Sequence, residues 1–210
     1  MLEHKILEQT LCLSPEKAIF WKEKGILIIA DLHLGKAGHF RKSGIPISDL
    51  VHHKDILSLE KLITKWKPVE VIFLGDLFHS EHNQGWETFK RWIKSKSPLL
   101  FTLILGNHDI MDAKAYHIQN LKVVESMDLA PFSLTHIPEN TEYYNLAGHI
   151  HPAIKLSGKG RQSLRVPCFY FGEQHGILPA FGHFTGTGLI KVNKHDEVYG
   201  IAESQVIKFN

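Results

Sequence analysis

The chain has 210 residues, 43% of them hydrophobic and 22% charged, with a formal net charge of +2; this length buries one substantial core and suits a single domain over residues 1–210. The apolar runs fall well short of the ~20 residues a membrane helix needs, and Glu3, His4, Lys5 and Glu8 interrupt any signal-peptide core, so a cytoplasmic setting without a membrane partner is expected. The mild positive charge permits a polyanionic partner without specifying one.

In chain order, the first clear element is the apolar, β-branched run 25–30. Near-continuous apolarity marks a strand covered on both faces, as in a largely parallel sheet. It runs directly into Asp31-Leu32-His33. Ile56, Leu59, Ile63 and Trp66 then recur at three- and four-residue spacing between Asp49 and Lys67-Pro68, which predicts a helix of about four turns. A second apolar run, 69–74, ends in Gly75-Asp76. Trp86, Phe89, Trp92 and Ile93 repeat the helical spacing before Pro98, and core packing rather than base stacking is the reading for this aromatic stripe. A third run, 99–105, ends in Gly106-Asn107-His108-Asp109. Beyond Asn120, short segments alternate with turn residues: 121–124, 132–135, 143–147, 153–156, 163–171, 186–192 and 198–208. They predict a second, mixed or antiparallel sheet, with hairpin tips at Gly158-Lys159-Gly160 and Asn193-Lys194-His195-Asp196. The expected fold class is α/β, with two packed mixed β-sheets flanked by helices in an αββα sandwich.

Three strands that each deliver a candidate ligand at the carboxyl end converge on one edge of a parallel sheet. Adding His136, which follows the run 132–135, and Gly148-His149-Ile150-His151 gives seven candidate ligands: Asp31, His33, Asp76, Asn107, His136, His149 and His151. A lone histidine is more often satisfied or solvated than a ligand, and among fifteen histidines it is the ordered cluster that reverses this expectation. For His136, which stands without a neighbouring Gly-His, a structural role is the alternative. Cys12 and Cys168 lie outside these motifs, so the site is built from nitrogen and oxygen, and no disulfide is expected. Two divalent ions ~3.5–4 Å apart clamp the attacking and leaving oxygens of an in-line displacement at phosphorus. A paired-metal phosphoester hydrolase is therefore the leading expectation. Asp31 and Asp76 as the only anionic ligands leave such a site positive, which suits a phosphodiester, and Gly75 and Gly106 remove side-chain bulk where the backbone turns close to an ion.

In their order along the chain, Asp31, His33, Asp76, Asn107-His108 and the Gly-His-x-His of His149 and His151 resemble the five-part signature of the calcineurin-like metallophosphoesterase superfamily, over roughly residues 25–155. The resemblance implies that Asp31, His33 and His151 bind one metal, that Asn107, His136 and His149 bind the other, and that Asp76 bridges both, with a hydroxide between the ions as nucleophile. His108 is assigned to transition-state stabilisation and leaving-group protonation, and Asp109 to orienting its imidazole. His79 either contacts the scissile phosphate or supports the ligands from outside.

The fuller strings 31–46, 74–80, 148–152 and 178–186 look like the ligase-associated DNA-damage-response endonuclease clade. That implies a manganese-dependent phosphodiesterase acting on DNA, an endonuclease of DNA repair encoded near a DNA ligase and a helicase; iron, zinc and magnesium are the other metals considered for such ligands. Leu105 and His108 stand where protein serine/threonine phosphatases and lipid-precursor pyrophosphatases, respectively, carry Arg, which disfavours both branches. Lys36 and Arg41, with His39 and Lys42 beside them, are assigned to substrate phosphates, a solvated loop face being the alternative. A small-molecule or nucleotide phosphodiesterase or phosphatase is the second functional reading. A non-catalytic scaffold is the third, disfavoured because every ligand is present.

Overall fold

The computed structural model describes residues 1–34, 50–78, 84–158, 162–183 and 185–210, without the side chains of residues 50–53, 84 and 113. Three strands, β4 (Ile26–Ala30), β5 (Glu70–Leu74) and β6 (Leu100–Ile104), run parallel and side by side. Their alternate residues point to opposite faces, and both faces are buried. Leu27, Ile29, Val71 and Phe73 pack beneath the helices, while Ile28, Ala30, Ile72 and Leu74 face the second sheet. This two-sided burial is the reason for the unbroken apolar runs. Ala30 pairs with Leu74 and Leu74 with Ile104, so the strands end level and the residues that follow share one edge.

The helices α1 (Leu50–Trp66) and α2 (Gln84–Ser95) cover the outer face of this sheet. Leu59, Leu62, Trp86, Phe89 and Ile93 are buried there, and Trp92 donates to Glu60 across the two helices at 2.9 Å. Helix α1 stops where Lys67 takes a left-handed φ of 45° ahead of Pro68, whose ring cannot continue the turn. Among the described residues, no helix is long and apolar enough to cross a membrane.

Three strands that the sequence does not announce extend the sheet on the other side: β1 (Leu2–Ile6), β2 (Gln9–Leu13) and β3 (Ile19–Trp21), all antiparallel. The β1–β2 hairpin turns on Leu7 and Glu8, at φ 49° and 61°. Such turns favour Asn-Gly, so the usual signal is missing. His4, part of a charged-looking N-terminus, is buried, its ring stacked 3.9 Å from that of Phe171 and its Nδ1 3.0 Å from the Tyr199 hydroxyl. One predicted strand changes sheets: β7 (Leu121–Val124) pairs parallel with β6 and completes the seven-stranded first sheet.

The second sheet contains β8 (Met127–Leu129), β9 (Phe132–Leu134), β10 (Tyr144–Ala147), β11 (Pro152–Ser157), β12 (Ser163–Phe171), β13 (His175–Ile177), β14 (Gly188–Leu189), β15 (Glu197–Ala202) and β16 (Gln205–Lys208). Its order is β14-β11-β12-β13-β10-β9-β8, with β15 also on β12 and β16 on β15. It is mixed, as expected, with β9, β10 and β13 parallel. The 198–208 segment is two strands rather than one, separated at Glu203 (φ 54°). Asn193–Asp196 is a turn but no hairpin tip, since the strands on either side, β14 and β15, pair with different neighbours. At the other expected tip, Gly158 donates to the Gln162 carbonyl at 2.9 Å; Lys159 and Gly160 lie outside the described residues.

Phe132, Leu134, Leu146, Phe169 and Leu178 of the second sheet interlock with Ile28, Ile72 and Trp21 of the first. Trp86 sits fully buried against Phe78, Phe89 and Tyr116 on the helical side. Trp86→Ala is expected to lower the unfolding free energy by about 3–5 kcal/mol, measured by urea denaturation. A stability change below 1 kcal/mol would contradict the packing role.

Candidate metal centre

Beyond β4 and β5, the chain enters a ladder between two loops. Asp31 donates its backbone N–H to the Gly75 carbonyl at 3.3 Å, His33 to Asp76 at 2.8 Å and Leu34 to Leu77 at 2.9 Å. Asp31, His33, Asp76, His149 and His151 all take left-handed backbones, with φ of 53°, 48°, 49°, 66° and 50°. Such conformations are sparsely populated by non-glycine residues and persist where surrounding contacts over-determine them. The carboxylates supply part of that determination. Asp31 Oδ2 accepts the His149 backbone N–H, and Asp76 Oδ1 accepts that of His108, both at 2.9 Å. Gly75 (φ 77°) admits nothing larger, because a Cβ there would lie 2.1 Å from His136 Nδ1; at Gly106 it would lie 2.4 Å from the Asp76 backbone nitrogen.

Two groups of donor atoms result. Ligand atoms of Asp31, His33 and His151 lie within 4.8 Å of one another, and those of Asp76, His136 and His149 do the same. Asp76 faces both groups, with Oδ2 at 3.6 Å from His33 Nε2 and Oδ1 at 3.5 Å from His136 Nε2. His151 Nε2 is 3.3 Å from Asp31 Oδ1, and His149 Nδ1 is 3.1 Å from His136 Nε2.

The tautomers follow from backbone carbonyls, which can only accept. His136 Nδ1 lies 2.9 Å from the Leu74 carbonyl and His151 Nδ1 3.2 Å from that of Gly186, so both Nδ1 atoms donate and each ring turns its Nε2, the atom left for a metal, toward the carboxylates. Asp31 Oδ1 and His151 Nε2 are buried and make no hydrogen bond among the described residues. Electron-rich atoms held so close are suited to a cation between them, and nitrogen with oxygen is a divalent-metal donor set. The residues therefore fit two divalent ions.

Asn107 is exposed between Gly106 and His108, whose backbones both touch Asp76. The His108 side chain stands at the rim, 45% exposed, with Nε2 4.0 Å from Asp76 Oδ2 and its ring 5.5 Å from that of His33. Asp109 braces the turn that carries His108. Its Oδ1 accepts the backbone N–H groups of Leu77 and Phe78 at 3.0 and 3.2 Å, and its Oδ2 that of Gly106 at 2.9 Å. It ties the 106–109 turn, and with it the main chain of His108, to the residues after Asp76. Burial pushes its carboxyl up to about 6, against the pull of these N–H donors. His79, Lys36, Arg41, His39 and Lys42 lie outside the described residues. Sequence reasoning missed the supporting carbonyls of Leu74 and Gly186; main-chain oxygens leave no signature in residue type.

The family model for calcineurin-like phosphoesterases matches residues 25–202. No curated protein sequence matches the chain. Among solved structures, the chain is similar to the crystal structure of Pseudomonas putida nuclease MPE, with 31% identity, a TM-score of 0.84 and 99% of each chain covered. The matched span holds every residue of both donor groups, from Asp31 to His151, so that the paired centre and the two packed sheets have one explanation: the chain belongs to the calcineurin-like phosphoesterase family and is a metal-dependent hydrolase of phosphoesters.

Proposed function

We propose that this hydrolase is a phosphodiesterase acting on DNA, an endonuclease of DNA repair in the cytoplasm, functionally associated with a DNA ligase and a helicase. One observation carries the catalytic part: the Asp76 carboxylate belongs to one nitrogen-and-oxygen donor group and reaches toward the other, at an edge where the His108 side chain is half exposed. The nucleic-acid part is supported by similarity to a nuclease over nearly the full length of both chains and by the motif strings 31–46 and 178–186.

Asp31, His33 and His151 would hold one ion, Asn107, His136 and His149 the other, and Asp76 both, with manganese favoured over iron, zinc or magnesium. When bound, two such ions neutralise charge at phosphorus and lower the pKa of water. The protein's own groups do the rest. Asp31 and Asp76 leave the paired site positive for an incoming phosphodiester. His108, its main chain anchored on Asp76, presents an imidazole that stabilises the transition state and protonates the leaving oxygen. Asp109 is a positioning residue that holds the His108 turn. His79, Lys36 and Arg41 are proposed to contact substrate phosphates.

Incubation of supercoiled plasmid and bis-p-nitrophenyl phosphate with the chain and manganese tests the reading. Nicking of the plasmid supports it, and hydrolysis of the small diester alone would favour a small-molecule phosphodiesterase. Asp76→Ala is expected to lose bound manganese and detectable turnover together; full metal occupancy in that variant, by elemental analysis, would refute a bridging role. His108→Ala should keep its metal and lower kcat by ~10²–10⁴-fold, and an unchanged kcat at saturating metal would remove His108 from the mechanism. Replacing Arg41 and Lys42 by Glu is expected to weaken plasmid cleavage and its salt dependence while sparing the small diester. Equal loss on both substrates would count against a DNA-tracking role.

A further inference from the structure

The strand β13 runs into a segment that crosses the metal-centre edge from one sheet to the other. Leu178 packs in the core between the sheets and donates to the Ala147 carbonyl at 2.8 Å. Phe181 packs in the helical core and donates to the Ala30 carbonyl at 2.8 Å, and Gly182 donates to the Asp31 carbonyl at 3.2 Å. A Cβ on Gly182 would lie 2.5 Å from the Leu32 carbonyl oxygen, so the segment lies tight against the first ligand loop. Thr185 Oγ1 then donates to the Gly182 carbonyl at 2.7 Å. One residue later, the Gly186 carbonyl accepts the Nδ1 proton of His151.

A further anchor of this strap lies away from the ligands. Asp55, on α1, is buried and accepts from His183 twice, from its backbone N–H at 3.1 Å and from its ring Nδ1 at 2.5 Å. A buried carboxylate is costly unless hydrogen-bonded and paired, which makes this pairing geometrically demanding. The His183 side chain is itself 50% exposed, so the ring is no core filler; among the described residues its hydrogen-bond partner is Asp55. Lys17 lies close enough to Asp55 for its charge to be favoured by the carboxylate, although burial pushes the lysine's pKa down overall.

We propose that Asp55 and His183 form a latch that fixes the strap and, through the Gly186 carbonyl, sets the ring of His151 for the ion held by Asp31, His33 and His151. Both are positioning residues for one half of the centre, and the inference rests on the metal reading given above. A group hydrogen-bonded directly to a ligating imidazole typically governs metal affinity by ~10–100-fold, and the latch acts through such a group, the Gly186 carbonyl.

The test is titration of the metal-free full chain with manganese, with free Mn²⁺ followed by electron paramagnetic resonance. The wild-type chain is expected to bind two ions. His183→Ala should weaken one of them by ~10–100-fold and leave the other unchanged, with the Tm lowered because buried Asp55 loses the His183 ring; the split between the two ions is the readout that general destabilisation would not give. His183→Asn, whose amide can donate to Asp55, should restore much of the loss. In a His151→Ala background, His183→Ala should have no further effect, because its route to the ion has been removed. Unchanged affinity for both ions in His183→Ala would overturn the latch, as would equal weakening of both ions, or an undiminished effect in the His151→Ala background. A wild-type chain that takes up no manganese would overturn the metal reading itself, and this inference with it.

Discussion

Two buried carboxylates at the ends of adjacent parallel strands set the terms for the rest of this structure. Asp31 is 0% and Asp76 2% exposed, and each would carry a heavy desolvation cost if left alone. Backbone N–H groups from His149 and His108 meet one oxygen of each, and imidazoles approach the others. The arrangement concentrates negative charge and nitrogen lone pairs at one edge, and divalent cations are the partners that satisfy both. The left-handed backbones of five ligands and the absence of a side chain at Gly75 follow from bringing so many donors to so small a volume.

The two sheets have unequal tasks at that edge. The first supplies Asp31, His33, Asp76 and the Asn107-His108 turn from loops that continue three level strands. The second supplies His136, His149 and His151 from loops after β9 and β10. Neither sheet holds a complete donor group: Asp31 and His33 need His151, and Asp76 needs His136 and His149. Contact between the sheets through Phe132, Leu134, Leu146 and Leu178 is therefore a condition of metal binding as well as of folding. This explains why carboxylates, main-chain carbonyls and the strap after β13 all join one sheet's loops to the other's.

Much of this was legible in the residues. The strands β4, β5 and β6 show as apolar runs because both faces are buried, and each run ends at its ligand. The two helices show as stripes of Leu, Ile, Phe and Trp with one buried face. The strands β1, β2 and β3 were not legible, since Leu7-Glu8 carries no turn residue and charged side chains interrupt the pattern. The segment 121–124 was readable as a strand, but its sheet was not, because strand composition does not name the partner. That Asp109 accepts from the backbone of Leu77 and Phe78 has no mark in the sequence, since the three are brought together only by the fold. Nothing in the sequence marks Asp55 as buried, yet the fold sets it against His183.

By itself the sequence determined the donor types, their order and the strands that carry them, because hydrophobic periodicity and ligand chemistry are properties of residues and their near neighbours. Tertiary structure alone decided how the donors divide into two groups, which ring nitrogens carry protons, and what holds the rings in place. Those features depend on hydrogen bonds between residues 118 and 128 positions apart, as in Asp31 with His149 and Asp55 with His183, and on main-chain carbonyls that every residue possesses.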